Sequence, residues 1–176
     1  YRFDLFNKYL TSRLFNLSSS LLNDDVYLDR AEIHSRFALG SPIPPHQDNA
    51  YFGLTAGKSL TFYISLNKQY PDEGGLRYYK IPINTTKTHE ASDQPGFSLT
   101  LKNKNFENLE SFNPEYQIGD CSIHHSTSIH FADNVPINSK RVIVLRLAIH
   151  GINDFVKEKH KKWYKKMVEM NRIKLR

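Results

Sequence analysis

Between residues 26 and 150 the hydrophobic residues come only in short runs, each cut off within a few positions by Gly, Pro or Asn. That punctuation excludes a helical body for most of the chain. Strand-type runs fall at 31–39, 59–66, 76–81, 98–101, 122–125 and 141–149, and together they predict an antiparallel β-sandwich or barrel. Helical spacing returns only at the two ends. Phe6, Tyr9, Leu10, Leu14, Leu17 and Leu21 recur at steps of three and four, which predicts an amphipathic helix over 5–22 closed by Asn23, Asp24 and Asp25. Val156, His160, Trp163, Met167 and Met170 form a second such stripe over about 154–172. There is no internal repeat. A chain of 176 residues suits one domain. The expected division is a mainly β domain over 1–153, with its N-terminal helix inside 1–25, followed by a basic amphipathic helix over 154–176.

The formal net charge of +6 raises the question of a polyanionic partner, and its placement answers it. Residues 1–153 hold 15 Lys and Arg against 15 Asp and Glu, whereas residues 154–176 hold 9 against 3. The β domain is therefore balanced, which argues against nucleic acid as its partner. The terminal stripe is expected to pack on the domain or on a second copy in a homo-oligomer, with its lysines solvated. No apolar run approaches the roughly 18 residues that would span a bilayer. One cysteine, Cys121, cannot form an internal disulfide, so a reducing, cytoplasmic setting is the expectation, and Cys121 reads as a packed small residue.

Three segments carry chemistry. In Pro44-Pro45-His46-Gln47-Asp48-Asn49-Ala50-Tyr51-Phe52, the prolines stiffen the approach, and residues two apart on a strand share a face, so His46 and Asp48 can converge on one ion. Gly119 to His130 holds His124, His125 and His130, any of which could complete a set of two imidazoles and one carboxylate. That set leaves open positions on an ion and is the facial triad of non-haem Fe(II) oxygenases. His124 and His125 also read as polar strand residues. In the third segment, Arg141 shares strand parity with Ile143, Leu145 and Leu147. If those face the core, Arg141 points inward and Arg146 outward. A buried guanidinium left unpaired costs about 3–5 kcal/mol, so it needs either the carboxylate of a bound acid or one of the protein's own.

The ordered set His46-Gln47-Asp48, Gly74-Gly75-Leu76, Gly119-Asp120, His130 and an Arg eleven positions on resembles the phytanoyl-CoA dioxygenase family of Fe(II)- and 2-oxoglutarate-dependent oxygenases, over roughly residues 26–150. The resemblance implies a double-stranded β-helix, a jelly roll of two facing sheets. It implies iron held by His46, Asp48 and His130, with 2-oxoglutarate and O2 as co-substrates and succinate and CO2 as products. It also implies that Arg141 pairs with the far carboxylate of 2-oxoglutarate, with Gln47 and Tyr63 beside it. Asn49, Tyr51 and Phe52 follow the ligand pair and are expected to line the pocket of a small-molecule substrate, whose C–H bond would be hydroxylated. Asp48 argues against halogenation, since halogenating relatives lack the carboxylate.

The chain departs from the family pattern in two places. Ala132 stands where members often carry Ser or Thr, and Tyr78-Tyr79-Lys80-Ile81-Pro82 replaces a Pro-Gly-Ser-His turn. Ala132, together with an N-terminal part shorter than members usually carry, keeps open a binding or structural jelly roll without turnover. A zinc hydrolase built on His124, His125 and His130 has little support, since no Glu stands at the spacing of a base.

Overall fold

The computed structural model describes residues 12–81, 84–103, 105, 109–138 and 142–151. The chain runs α1 (Ser12–Leu22), β1 (Val26–Arg36), β2 (Ile43–His46), α2 (Asn49–Phe52), β3 (Ser59–Ser65), β4 (Arg77–Tyr79), β5 (His89–Ala91), β6 (Leu99–Leu101), β7 (Ser111–Phe112), β8 (Cys121–His125), β9 (His130–Ala132) and β10 (Val142–Gly151). Two four-stranded antiparallel sheets, ordered β1-β10-β3-β8 and β2-β9-β4-β7, face each other, with β5 and β6 as a separate hairpin. This is the jelly roll, or double-stranded β-helix, that the resemblance implies. The expected C-terminal helix lies outside the described residues.

Helix α1 ends where the sequence places its stop. Asn23 takes a left-handed φ of 48°, and the Asp24 N–H bonds the Ser19 carbonyl at 3.2 Å, which closes the last turn. The apolar stripe of α1 covers the outer face of the larger sheet. Leu22, Val26, Leu60, Phe62, Leu147 and Ile149 are all buried there, with Leu145 packed against them. This overturns the parity expected for β10. Leu145 and Leu147 face α1, while Val142, Val144 and Arg146 face the space between the sheets. The physical reason is that β10 is buried on both faces, so its apolar residues do not mark which side is the interior. Arg146 is consequently inside, and Arg141 lies outside the described residues.

A bulge in β1 has a matching effect. Leu28 pairs with Ile149 and Arg30 with Ala148, so Asp29 is an extra residue in the ladder. Leu28 packs on the α1 side, and the extra residue turns Arg30 to the inner face. Strand β2 carries Pro44 and Pro45, which a ladder tolerates because β2 is the edge of its sheet.

Candidate metal centre

The smaller sheet sets His46, His130 and Tyr78 in one row. His46 pairs across the ladder with His130, and His130 with Tyr78. Side chains at opposed positions share a face, and the His46 and His130 rings lie 4.3 Å apart. The larger sheet sets Thr61 opposite His124. Asp48 lies between the two rows. It does not reach His46 by strand parity, as the spacing suggests. The strand ends at His46, and Asp48 has helical dihedrals of φ −56° and ψ −30° as the chain turns into α2.

His46, Asp48 and His130 are buried and offer ligand atoms within 4.8 Å of one another. Asp48 Oδ1 stands 3.8 Å from His46 Nε2 and 3.7 Å from His130 Nε2. Each imidazole donates its Nδ1–H to the carbonyl two residues earlier, His46 to Pro44 at 2.8 Å and His130 to Ser128 at 3.0 Å. That bond fixes the tautomer and turns the lone pair on Nε2 toward the carboxylate. Burial pushes both imidazoles below their ordinary 6.5, His130 furthest because His46 adds to it, so both are neutral at pH 7. Burial alone would raise Asp48, but His130, the His124 hydrogen bond and Arg146 hold it well below its ordinary 3.8. Two neutral imidazoles and one carboxylate suit a divalent transition metal.

The two carboxylate oxygens of Asp48 have different company. Oδ2 accepts from Thr61 Oγ1 at 2.5 Å and from His124 Nε2 at 3.3 Å. Oδ1 accepts from Arg146 Nη2 at 2.8 Å, and Arg146 Nη1 also reaches Glu32 at 3.2 Å. Strand parity in the sequence assigns Arg146 to the wrong face, and nothing local to Arg146 marks it as a partner of the candidate ligand. Thr61 carries no sequence signal either.

The site opens into a cavity of about 470 Å³. Tyr51, Phe52, Tyr63, Ala132 and Leu76 line it. The Phe52 ring has the Arg30 guanidinium 5.6 Å from its centroid and that of Arg146 at 5.8 Å. Tyr51 packs edge-on to His46 at 5.8 Å, and Tyr63 donates its hydroxyl to Gln69 Oε1 at 3.0 Å. Arg36 also lines the cavity and donates to the Gly74, Ser41 and Asp133 carbonyls. Among the described residues it has no carboxylate in ion-pair range.

Two residues expected at the pocket are placed in its support. Gln47 is fully buried, and its amide donates to the Thr85 and Thr127 carbonyls at 3.0 and 2.5 Å while accepting the Lys87 N–H at 2.6 Å. Asn49 donates to the Leu54 carbonyl and the Thr86 hydroxyl. Both pin the loop after β4, since their position inside a tight turn aims them at the chain and not at the cavity. His125 faces outward, and Cys121, expected to be packed, is exposed.

No protein-family model and no curated protein matches the sequence. Solved structures share the fold. The epimerase SnoN, in complex with Fe3+, alpha ketoglutarate and nogalamycin RO, superposes with a TM-score of 0.63 at 15% identity over 84% of this chain and 58% of that one. EctD from S. alaskensis, with 2-oxoglutarate and 5-hydroxyectoine, gives 0.66 at 16% over 83% and 51%. The non-heme monooxygenase ThoJ gives 0.63 at 18% over 80% and 52%. The chain thus spans a little over half the length of these proteins. No helix among the described residues is long and apolar enough to cross a membrane.

Proposed function

We propose that the chain is a non-haem Fe(II)- and 2-oxoglutarate-dependent dioxygenase of the phytanoyl-CoA dioxygenase type that hydroxylates a C–H bond of a small molecule. The observation that carries this reading is the convergence of two tautomer-fixed Nε2 lone pairs and Asp48 Oδ1 on the wall of an open cavity. Fold neighbours that hold Fe3+ or 2-oxoglutarate support it.

In this reading His46, Asp48 and His130 hold the iron. When bound, the iron supplies activation of O2 coupled to decarboxylation of 2-oxoglutarate to succinate. The chain's own residues bind and orient. Tyr63 lies two residues beyond Thr61 on the same strand, about 6.6 Å along it, which suits the far end of a short diacid lying along β3. Arg36, with three of its five N–H donors engaged by carbonyls, offers positive charge at the cavity wall, and the family resemblance gives Arg141 the same task. Tyr51, edge-on to His46, and Phe52, against Arg146, give the prime substrate an aromatic wall.

The test is anaerobic titration with Fe(II) and 2-oxoglutarate, followed by exposure to air and measurement of succinate. One equivalent of iron and iron-dependent succinate are expected, both lost in His130→Ala. The bond from Arg146 to Asp48 Oδ1 favours a second reading, a jelly-roll module that does not turn over. Iron binding without succinate, in the presence of 2-oxoglutarate and O2, would select it.

A further inference from the structure

Asp48 Oδ2 is gripped from the larger sheet by Thr61 and His124, which are opposed in the β3–β8 ladder. His124 is gripped in turn from the smaller sheet. Tyr78, opposed to His130 on β4, places its hydroxyl 3.0 Å from His124 Nδ1. The same hydroxyl lies 2.9 Å from Ser122 Oγ, which accepts from Tyr116 at 2.9 Å. Tyr78, Tyr116 and His124 lie at the centre of the sandwich, and burial raises Tyr78 well above its ordinary 10, so the hydroxyl keeps its proton.

Proton accounting gives this chain a direction for an imidazole with a single ring hydrogen. An ionised carboxylate only accepts, so His124 Nε2 must carry the hydrogen that meets Oδ2. When the ring carries that one hydrogen, Nδ1 is bare and accepts from Tyr78. With its only hydrogen committed, Tyr78 accepts from Ser122, and Ser122 accepts from Tyr116. In that state the bonds from Tyr116 through Ser122 and Tyr78 to His124 run toward Asp48, and Tyr78 and Tyr116 also bond each other.

We propose that Tyr78 and His124 are positioning residues, a relay between the two sheets that holds Asp48 Oδ2 and so leaves Oδ1, which Arg146 also contacts, as the oxygen that meets the metal. This rests on the metal-centre reading above. The relay also aims His124 Nε2 at Asp48 Oδ2, although its ring lies 4.6 Å from that of His130. A carboxylate held through one oxygen keeps positions on the ion open for co-substrates.

The experiment is Co(II) titration of the whole chain, read as Kd and as the cobalt absorption spectrum, on wild type, His130→Ala, Tyr78→Phe, His124→Leu, His124→Gln and the Tyr78→Phe/His124→Leu double variant. Partners that orient ligands typically change metal affinity 10- to 100-fold. Tyr78→Phe and His124→Leu are each expected to weaken Co(II) at least 10-fold and to alter the spectrum. His124→Gln, which restores an N–H donor, recovers part of the loss. Tyr78→Phe should add nothing in the His124→Leu background, because it acts through that ring. Tyr78→Phe keeps the aromatic packing on His124, so it tests the relay even if His124→Leu fails to fold. Single variants with Kd and spectrum within twofold of wild type overturn the relay, as do losses that multiply independently in the double variant. A wild type that binds no Co(II), or a His130→Ala that binds it equally well, overturns the metal reading and the relay with it.

Discussion

At the scale of single residues, the centre is a buried carboxylate surrounded by donors, and each donor has a separable consequence. Arg146 is the one full positive charge on Asp48, and its side chain is 16% exposed against 3% for Asp48. Removing it leaves a buried carboxylate with fewer partners, a change that costs about 2–3 kcal/mol when some partners remain. Arg146→Gln is therefore expected to lower the stability of the metal-free protein by that amount in urea. Added metal ion should recover more stability in Arg146→Gln than in wild type, because it replaces the missing charge. His46→Ala should reduce bound iron to background in a stoichiometry measurement, since two remaining ligands cannot hold the ion in this geometry. His46 and Asp48 were legible from residue type and spacing, and His130 was singled out from His124 and His125 by the family resemblance. Arg146 and Thr61 were not, because what identifies them is a partner about a hundred residues away in one case and thirteen in the other.

At the scale of elements, the larger sheet is held from outside by α1 and from inside by the tyrosine-rich layer that includes Tyr63, Tyr116 and Val144. Leu147 belongs to the outer layer, so Leu147→Ala is expected to cost about 2–5 kcal/mol. The cobalt Kd of the folded fraction should stay unchanged. An equal loss of metal affinity would place Leu147 on the inner face. Gly74 has φ 82°, and a Cβ there would stand 2.7 Å from Val135 Cγ2. Gly74→Ala should therefore destabilise by more than about 1 kcal/mol from conformation and overlap together. Strands β3, β8 and β10 were readable from their runs, as were β4 and β6 within 76–81 and 98–101 and the second half of β1, whereas β2, β5, β7 and β9, of two to four residues, were not. Elements that short have no periodicity of their own and exist because a neighbouring strand offers them a ladder.

For the molecule as a whole, burial holds the imidazoles of His46, His130 and His150 toward the neutral form. Burial pushes His150 below its ordinary 6.5, as it does His46 and His130. His150 lies at the far end of β10 against Phe52, with ring centroids 4.6 Å apart. The unfolded chain takes up protons on these groups from pH 6.5 downward while the native state resists, so stability is full above that pH and falls as acid is added. Each tenfold difference in proton affinity is worth about 1.4 kcal/mol. A Tm series from pH 7.5 to 5 on the metal-free protein should fall, and His150→Leu should flatten part of that fall; a level series would refute neutral burial. The sequence by itself determined the β class of the fold, the balanced charge of the β domain, and His46 and Asp48 with a third ligand among His124, His125 and His130, because those follow from local run length, composition and residue type. Tertiary structure alone decided which face of β10 is the interior, that Arg146 meets Asp48, and that Tyr78 answers to His124. Those facts depend on ladder register, on a one-residue bulge and on α1 burying the opposite face, all of which are relations between distant segments.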